Sequence, residues 1–132
     1  MALTPEEALY DAIDSAGSEA KKKYRDVIHL PFFFAGGAFQ DGYAITEEDQ
    51  VPEYRSHEFS TRSPSFIGST VNLNSFEVIV RDLRKVAFLI HATRWNEDGS
   101  LQRNFRAIIT VMQKNDDWRM ISRNPFAEVE SE

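Results

Sequence analysis

Residues 86–126 read VAFLIHATRWNEDGSLQRNFRAIITVMQKNDDWRMISRNPF, and their alternation decides the fold. Apolar residues recur at every second position, and polar clusters at NEDGS and KNDD interrupt the runs. That period belongs to half-buried β-strands joined by tight hairpins. A two-residue primed turn at Asp98-Gly99 opposes Glu97 to Ser100. Counting outward pairs Ala92 with Phe105, Ile90 with Ala107, Phe88 with Ile109 and Val86 with Val111, and every pair is apolar. A three-residue loop opposes Ala92 to Asn104 and Ile90 to Arg106 instead, so the apolar pattern selects the first register.

The same counting about Asn115-Asp116 puts Trp118, Met120, Ser122, Asn124 and Phe126 on this inner face. In the preceding strand it adds Asn72, Asn74, Phe76, Val78 and Val80. One end of the face is apolar; the other holds Asn72, Asn74, Arg94, Arg103, Ser122 and Asn124. The opposite face mixes Ile79, Leu89, His91, Trp95, Arg106, Ile108, Met112, Ile121 and Arg123. Tryptophan, methionine, isoleucine and arginine together are the composition of a protein–protein interface. The expectation is a homodimer surface made by His91, Trp95, Arg106, Ile108, Met112, Ile121 and Arg123.

Upstream, TPEEALYDAIDSA carries a helix start. Thr4 caps, Pro5 takes the first helical position and Glu7 completes a capping box. Leu9, Ile13, Ala16, Ala20, Tyr24 and Val27 recur at three- and four-residue steps, a stripe that runs to about Ile28. Gly17 divides it into two helices, and Lys21 to Lys23 form a solvated side. HLPFFFAGGAFQDGYAI, from His29, reads as two short strands about the turn Gly36-Gly37. Thr46 and Asp49 open a short helix bent near Pro52, and SPSFIGS is a loop before four long strands. Only the helices are available to cover the apolar inner face. The fold class is therefore α+β: a curved, mostly antiparallel sheet of two short and four long strands, wrapped around N-terminal helices.

At 132 residues the chain reads as one domain, 1–132, with a frayed acidic tail over about 127–132. A net charge of −6 disfavours nucleic acid and anionic membrane as partners. There is no cysteine, which excludes thiolate catalysis and cysteine metal sites. The N-terminus is acidic where a secretion signal is apolar, and no apolar run approaches the ~20 residues of a membrane span. The expected compartment is the cytoplasm. His29, His57 and His91 lack ligand-like spacing, and neither a metal site nor a cofactor motif is expected.

Two segments carry a resemblance. HLPFFFAGG is similar to the short first strand of the nuclear transport factor 2-like superfamily, the cystatin-like α+β cone. Residues 86–126 resemble its closing hairpins, with DG in one turn and Trp118 opening the last strand. The chain most resembles small, single-domain bacterial members without an assigned activity. What the resemblance implies is a pocket inside the cone and, in many members, dimerisation through the outer sheet face. Members include isomerases, dehydratases, hydrolases and assembly modules, and the fold does not choose among them.

The catalytic patterns of such members do not transfer. The four long strands place no Asp or Glu inward, and Asp41, Glu53 and Glu58 lie on segments of unassigned facing, as do Tyr43, Tyr54 and His57. The pocket candidates are His29, Phe76, Arg94, Phe105, Trp118, Ser122 and Asn124. The leading expectation is a homodimer that binds a small, mainly apolar molecule. The alternatives are an interaction module with a filled cone, and an isomerase, dehydratase or hydrolase of a small apolar substrate.

Overall fold

A computed structural model describes residues 4–16, 23–36, 39–52 and 68–126, with backbone alone at 39 and 40. Helix α1, Pro5–Asp14, starts at the capping signal: the Glu7 amide donates to Thr4 Oγ1 at 3.0 Å. Pro5 sits in the first turn, where its missing N–H costs nothing. Ala8, Leu9, Ala12 and Ile13 are its buried stripe. A single-turn helix, α2, spans Tyr24–Val27. Thr46 does open a turn, but its partner is Gln50 rather than Asp49. Gln50 Oε1 accepts from the amides of Thr46 and Glu47 at 2.7 and 2.8 Å.

Six strands form one open sheet in the order β2-β1-β6-β5-β4-β3. They are β1 Ile28–Gly36, β2 Phe39–Ile45, β3 Thr70–Arg81, β4 Lys85–Trp95, β5 Leu101–Lys114 and β6 Asp117–Phe126. All pairs are antiparallel except β1 with β6. Helix α1 lies against β6, β5 and β3 on one face. Between them Phe32, Phe34, Phe88, Ile90, Ile109 and Met120 are fully buried with Leu9 of the helix. Phe76 stands edge-on to both Phe88, at 5.4 Å, and Tyr10, at 6.2 Å, a geometry that suits the ring quadrupoles. The α+β architecture expected from the apolar pattern is the one observed.

The β4–β5 ladder pairs Ala92 with Phe105, Ile90 with Ala107, Phe88 with Ile109 and Val86 with Val111, as the apolar pattern requires. Its turn, however, is not a two-residue one. The Asn96 amide donates to the Ser100 carbonyl at 2.8 Å and the Gly99 amide to the Asn96 carbonyl at 2.9 Å. The loop is therefore Glu97, Asp98 and Gly99, with Gly99 at φ +89°, a left-handed conformation open to glycine. Trp95 pairs with Leu101 while Arg94 pairs with Arg103, so Gln102 is an extra residue that restores the register.

The β5–β6 turn is the primed type, with Asn115 and Asp116 at φ 52° and 62°. Lys114 pairs with Asp117 and Val111 with Met120; beyond them Thr110 pairs with Ser122 and Ile109 with Arg123. Ile121 is the extra residue, and it exchanges the faces of everything after it. Ser122 and Asn124, expected inward, stand on the outer face opposite Thr110 and Ile108. Arg123, expected on the outer face, turns inward and is buried. Two further register steps in β3, at Asn74 and Ile79, correct that strand as well. Asn72 pairs with outward-facing Thr93, while Val71 and Leu73 pair with inward-facing Arg94 and Ala92.

Candidate functional site

Two surfaces of the sheet differ in kind. On the inner face, α1 leaves a cavity lined, among the described residues, by Ala12, Ile13, Ala16, Ile90, Arg94, Arg103, Phe105, Ala107, Ile109, Arg123 and Pro125. It measures about 30 Å³. That is room for a water or two, well below the ~300–1,000 Å³ of a drug-sized pocket. Beside it Phe32, Phe34, Phe88 and Ile90 are fully buried among the described residues.

Three guanidinium groups interrupt this apolar lining. Arg94, buried on β4, donates through Nη1 to Ser69 Oγ at 2.9 Å and through Nη2 to the Ala16 carbonyl at 3.3 Å. The second bond reaches the C-terminal end of α1, where the peptide dipoles favour a cation. Arg123 lies over the Phe34 ring at 4.7 Å and within 5.9 Å of the Tyr24 ring. Arg103 is exposed at the rim and lies over Phe105 at 5.4 Å. The sequence placed Arg94 and Phe105 here. It missed Arg123, although adjacent apolar Met120 and Ile121 and a proline inside the strand both signal a broken alternation.

The remaining pocket candidates lie elsewhere. Phe76 and Trp118 pack into the core beside the cavity, and neither borders it. Ser122 and Asn124 are on the outer face. His29 belongs to a polar cluster on β1 and the start of β6. Its Nε2–H donates to the Asp117 carbonyl at 2.7 Å. Asp117 in turn pairs with Arg119 at 2.6 Å, and Lys114 Nζ donates to the Leu30 carbonyl at 3.0 Å. Burial is the main influence on His29, and it lowers the imidazole pKa below its ordinary 6.5. The Asp117 carbonyl and carboxylate act the other way, while Arg119 and Lys114 add to the lowering. Of the unassigned groups, Asp41 is exposed on β2 and Tyr43 packs against the core. Glu53, Tyr54, His57 and Glu58 lie outside the described residues. Among the described residues no group of three or more His, Asp or Glu side chains is placed to hold a metal ion.

The outer face has no covering layer among the described elements. His91 and Trp95 are exposed there, and Arg106, Ile108, Met112 and Ile121 are half-buried. Phe33, Ile79 and Leu101 add exposed apolar area, each about half accessible. Large apolar groups gathered on one sheet face are uncommon on a monomer. A chain of polar side chains crosses the same face: Asn72 Nδ2 donates to Asn74 Oδ1, Asn74 Nδ2 to Thr93 Oγ1, and Thr93 Oγ1 to Asn104 Oδ1, at 2.8, 2.7 and 2.7 Å. At the other end of the face a groove of about 390 Å³ is lined by Val80, Arg81, Asp82, Lys85, Ala87, Thr110, Ile121 and Ser122. No helix among the described residues is long and apolar enough to cross a membrane.

No family model matches the chain, and no curated protein sequence matches it. Solved structures do match in shape. A protein of unknown function with a cystatin-like fold from Nostoc punctiforme superposes with a TM-score of 0.71 at 14% identity, covering 95% of this chain and 93% of that one. A nuclear transport factor 2-like protein from Anabaena variabilis gives 0.60 at 12% identity, covering 95% and 87%. The association domain of CaMKII from C. elegans gives 0.58 at 11% identity, covering 92% and 89%. The chain has the cystatin-like, nuclear transport factor 2-like cone fold. At these identities the likeness concerns the fold alone.

Proposed function

We propose that the chain is a self-associating module that joins a second copy through the outer face of its sheet. The observation that carries this reading is a face that no described element covers, with Trp95, Ile108, Met112, Ile121, Phe33 and Ile79 on one side of a six-stranded sheet. Six strands of ten or so residues present a face of roughly 800–900 Å². A stable interface takes about 800 Å² from each partner. The apolar groups supply the drive, while the Asn72–Asn104 hydrogen-bonded chain and His91 and Arg106 give the face polar features for register. An association domain stands among the neighbours in shape, so the fold is compatible with assembly. Trp95→Glu tests this. A buried carboxylate without a partner costs several kcal/mol, so the variant runs as a monomer on sizing; a variant that keeps the wild-type elution places the contact elsewhere.

The arginine-lined cavity favours a second role, the holding of a small molecule. Arg94, Arg103 and Arg123 line an otherwise apolar hollow at the end of α1. Isomerase, dehydratase or hydrolase chemistry receives no such support, since the described lining contains no carboxylate or imidazole to move a proton.

A further inference from the structure

Resting on the outer-face association proposed above, we propose that Glu77 of one copy pairs with Arg106 of the other, reciprocally, about a two-fold axis that follows β4. Both charges stand without a partner in the single chain. Glu77 is exposed on β3 and Arg106 is half-buried on β5. Both point to the outer face, in neighbouring rows: Glu77, Leu89 and Ile108 form one, and Ser75, His91 and Arg106 the next. Among the described residues neither side chain makes a hydrogen bond or an ion pair. With β4 between them, they stand two strand spacings apart across the sheet and one two-residue step apart along it, roughly 12 Å in all. Ile108 and Phe126 flank Arg106, and a guanidinium so placed gains from a carboxylate brought to it.

Symmetry then decides between arrangements. A closed dimer of identical chains makes every off-axis contact twice, and when two sheets meet face to face the axis lies in the plane between them. An axis that follows β4 exchanges the places of β3 and β5. Glu77 of one copy then stands over Ile108 of the second, one step of about 7 Å from Arg106. Arg106 likewise stands over Ser75, one step from Glu77. The two long side chains span that step. An axis across the strands at the same point instead sets Arg106 beside Arg106 and Glu77 beside Glu77, and like charges in both places cost affinity. The charges therefore select strands that run in the same direction in both copies, within the ~30° of aligned sheets.

The same axis orders the rest of the face. Leu89 and Trp95 lie on the strand it follows, so each meets its counterpart and apolar groups face each other along the centre. At one end of the face, Asp82 and Lys85 line the groove from adjoining positions, joined by the Asp82 amide and the Lys85 carbonyl at 2.8 Å. The exchange turns Asp82 of one copy toward Lys85 of the second, a further contact between opposite charges.

The test is a charge exchange in the full-length chain, read as mass by light scattering across a dilution series. Glu77→Arg makes both members of the pair basic, and Arg106→Glu makes both acidic. Each variant alone should lose about tenfold or more in dimer affinity. Mixed in equal amounts, the two variants should associate as tightly as the wild type, because each chain then supplies the charge the other needs at both contacts. Variants that dimerise as the wild type does, or a mixture no tighter than its components, overturn the pairing and leave the outer-face dimer standing. A wild-type chain that is itself a monomer overturns both. Arg106 is half-buried, so if Arg106→Glu does not fold, the exposed Glu77 decides the matter. Glu77→Arg should then weaken the dimer more than Glu77→Gln does, and equal or opposite effects overturn the pairing.

Discussion

Arg123 stands opposite Ile109 on the inner face of the sheet, one residue out of step with the pairing of Val111 and Met120. The extra residue Ile121 places it there, and the Phe34 and Tyr24 rings receive it. Strict alternation assigns the inward place to Asn124 instead. The two residues therefore give opposite predictions under alanine substitution. Arg123→Ala loses ring stacking and the packing of a long buried stem, and should lower unfolding free energy by about 1–3 kcal/mol. Asn124→Ala should stay within about 0.5 kcal/mol. Urea denaturation of both variants checks the order, and the reverse order contradicts the observed register.

His29 gives the chain a pH dependence of predictable sign. Burial lowers its pKa beneath the ordinary 6.5, with Arg119 and Lys114 adding to the effect and Asp117 opposing it. The folded chain then binds fewer protons than the unfolded chain as acidity rises, so stability increases with pH in that window. The contribution of His29 is complete above 6.5 and is lost as pH falls through the lowered folded-state value. Urea midpoints between about pH 7.5 and 5 should drop further for the wild type than for His29→Gln. Parallel curves would show that His29 does not carry the effect.

Gly36 ends β1 at φ +110°, a conformation that side chains rarely adopt. A Cβ there meets the Pro125 carbonyl oxygen at 2.9 Å, on the bulged strand β6. Gly99 shares the sign of φ but faces open space. Gly36→Ala is therefore expected to cost more than Gly99→Ala, by about 1–2 kcal/mol for the added contact. Thermal unfolding of the pair measures the difference. Equal costs would mean that backbone strain alone decides, and that β1 and β6 approach less closely than described.

The fold was legible from the hairpins because burial fixes register more firmly than turn chemistry does. The β4–β5 pairs follow from matching apolar residues, even though the loop is one residue longer than Asp98-Gly99 suggests. Gln102 absorbs the difference, since a slipped register would bury Arg106 in place of Ala107. The helix start at Thr4 was equally legible, as its signal is local. The site was less so. Ser122, Asn124 and Arg123 depend on a bulge at Ile121, where β6 also pairs in parallel with the distant strand β1. Asn72 and Asn74 depend on a similar step in β3. A single extra residue reverses every facing beyond it, and a sequence of alternating type does not announce where that residue falls. His29 shows the same limit: its position beside the first strand was read, but the carbonyl that holds it, that of Asp117, lies 88 residues away.

The most direct measurement is the mass of the wild-type chain in solution, by light scattering across a dilution series, with Ile108→Glu alongside. Ile108 sits at the middle of the outer face, opposite Leu89 and Asn124. A wild-type mass of twice the chain's 15.2 kDa, falling to a single chain in Ile108→Glu with its far-ultraviolet spectrum unchanged, is the predicted result. A wild-type chain that remains a monomer at every concentration would contradict the outer-face dimer.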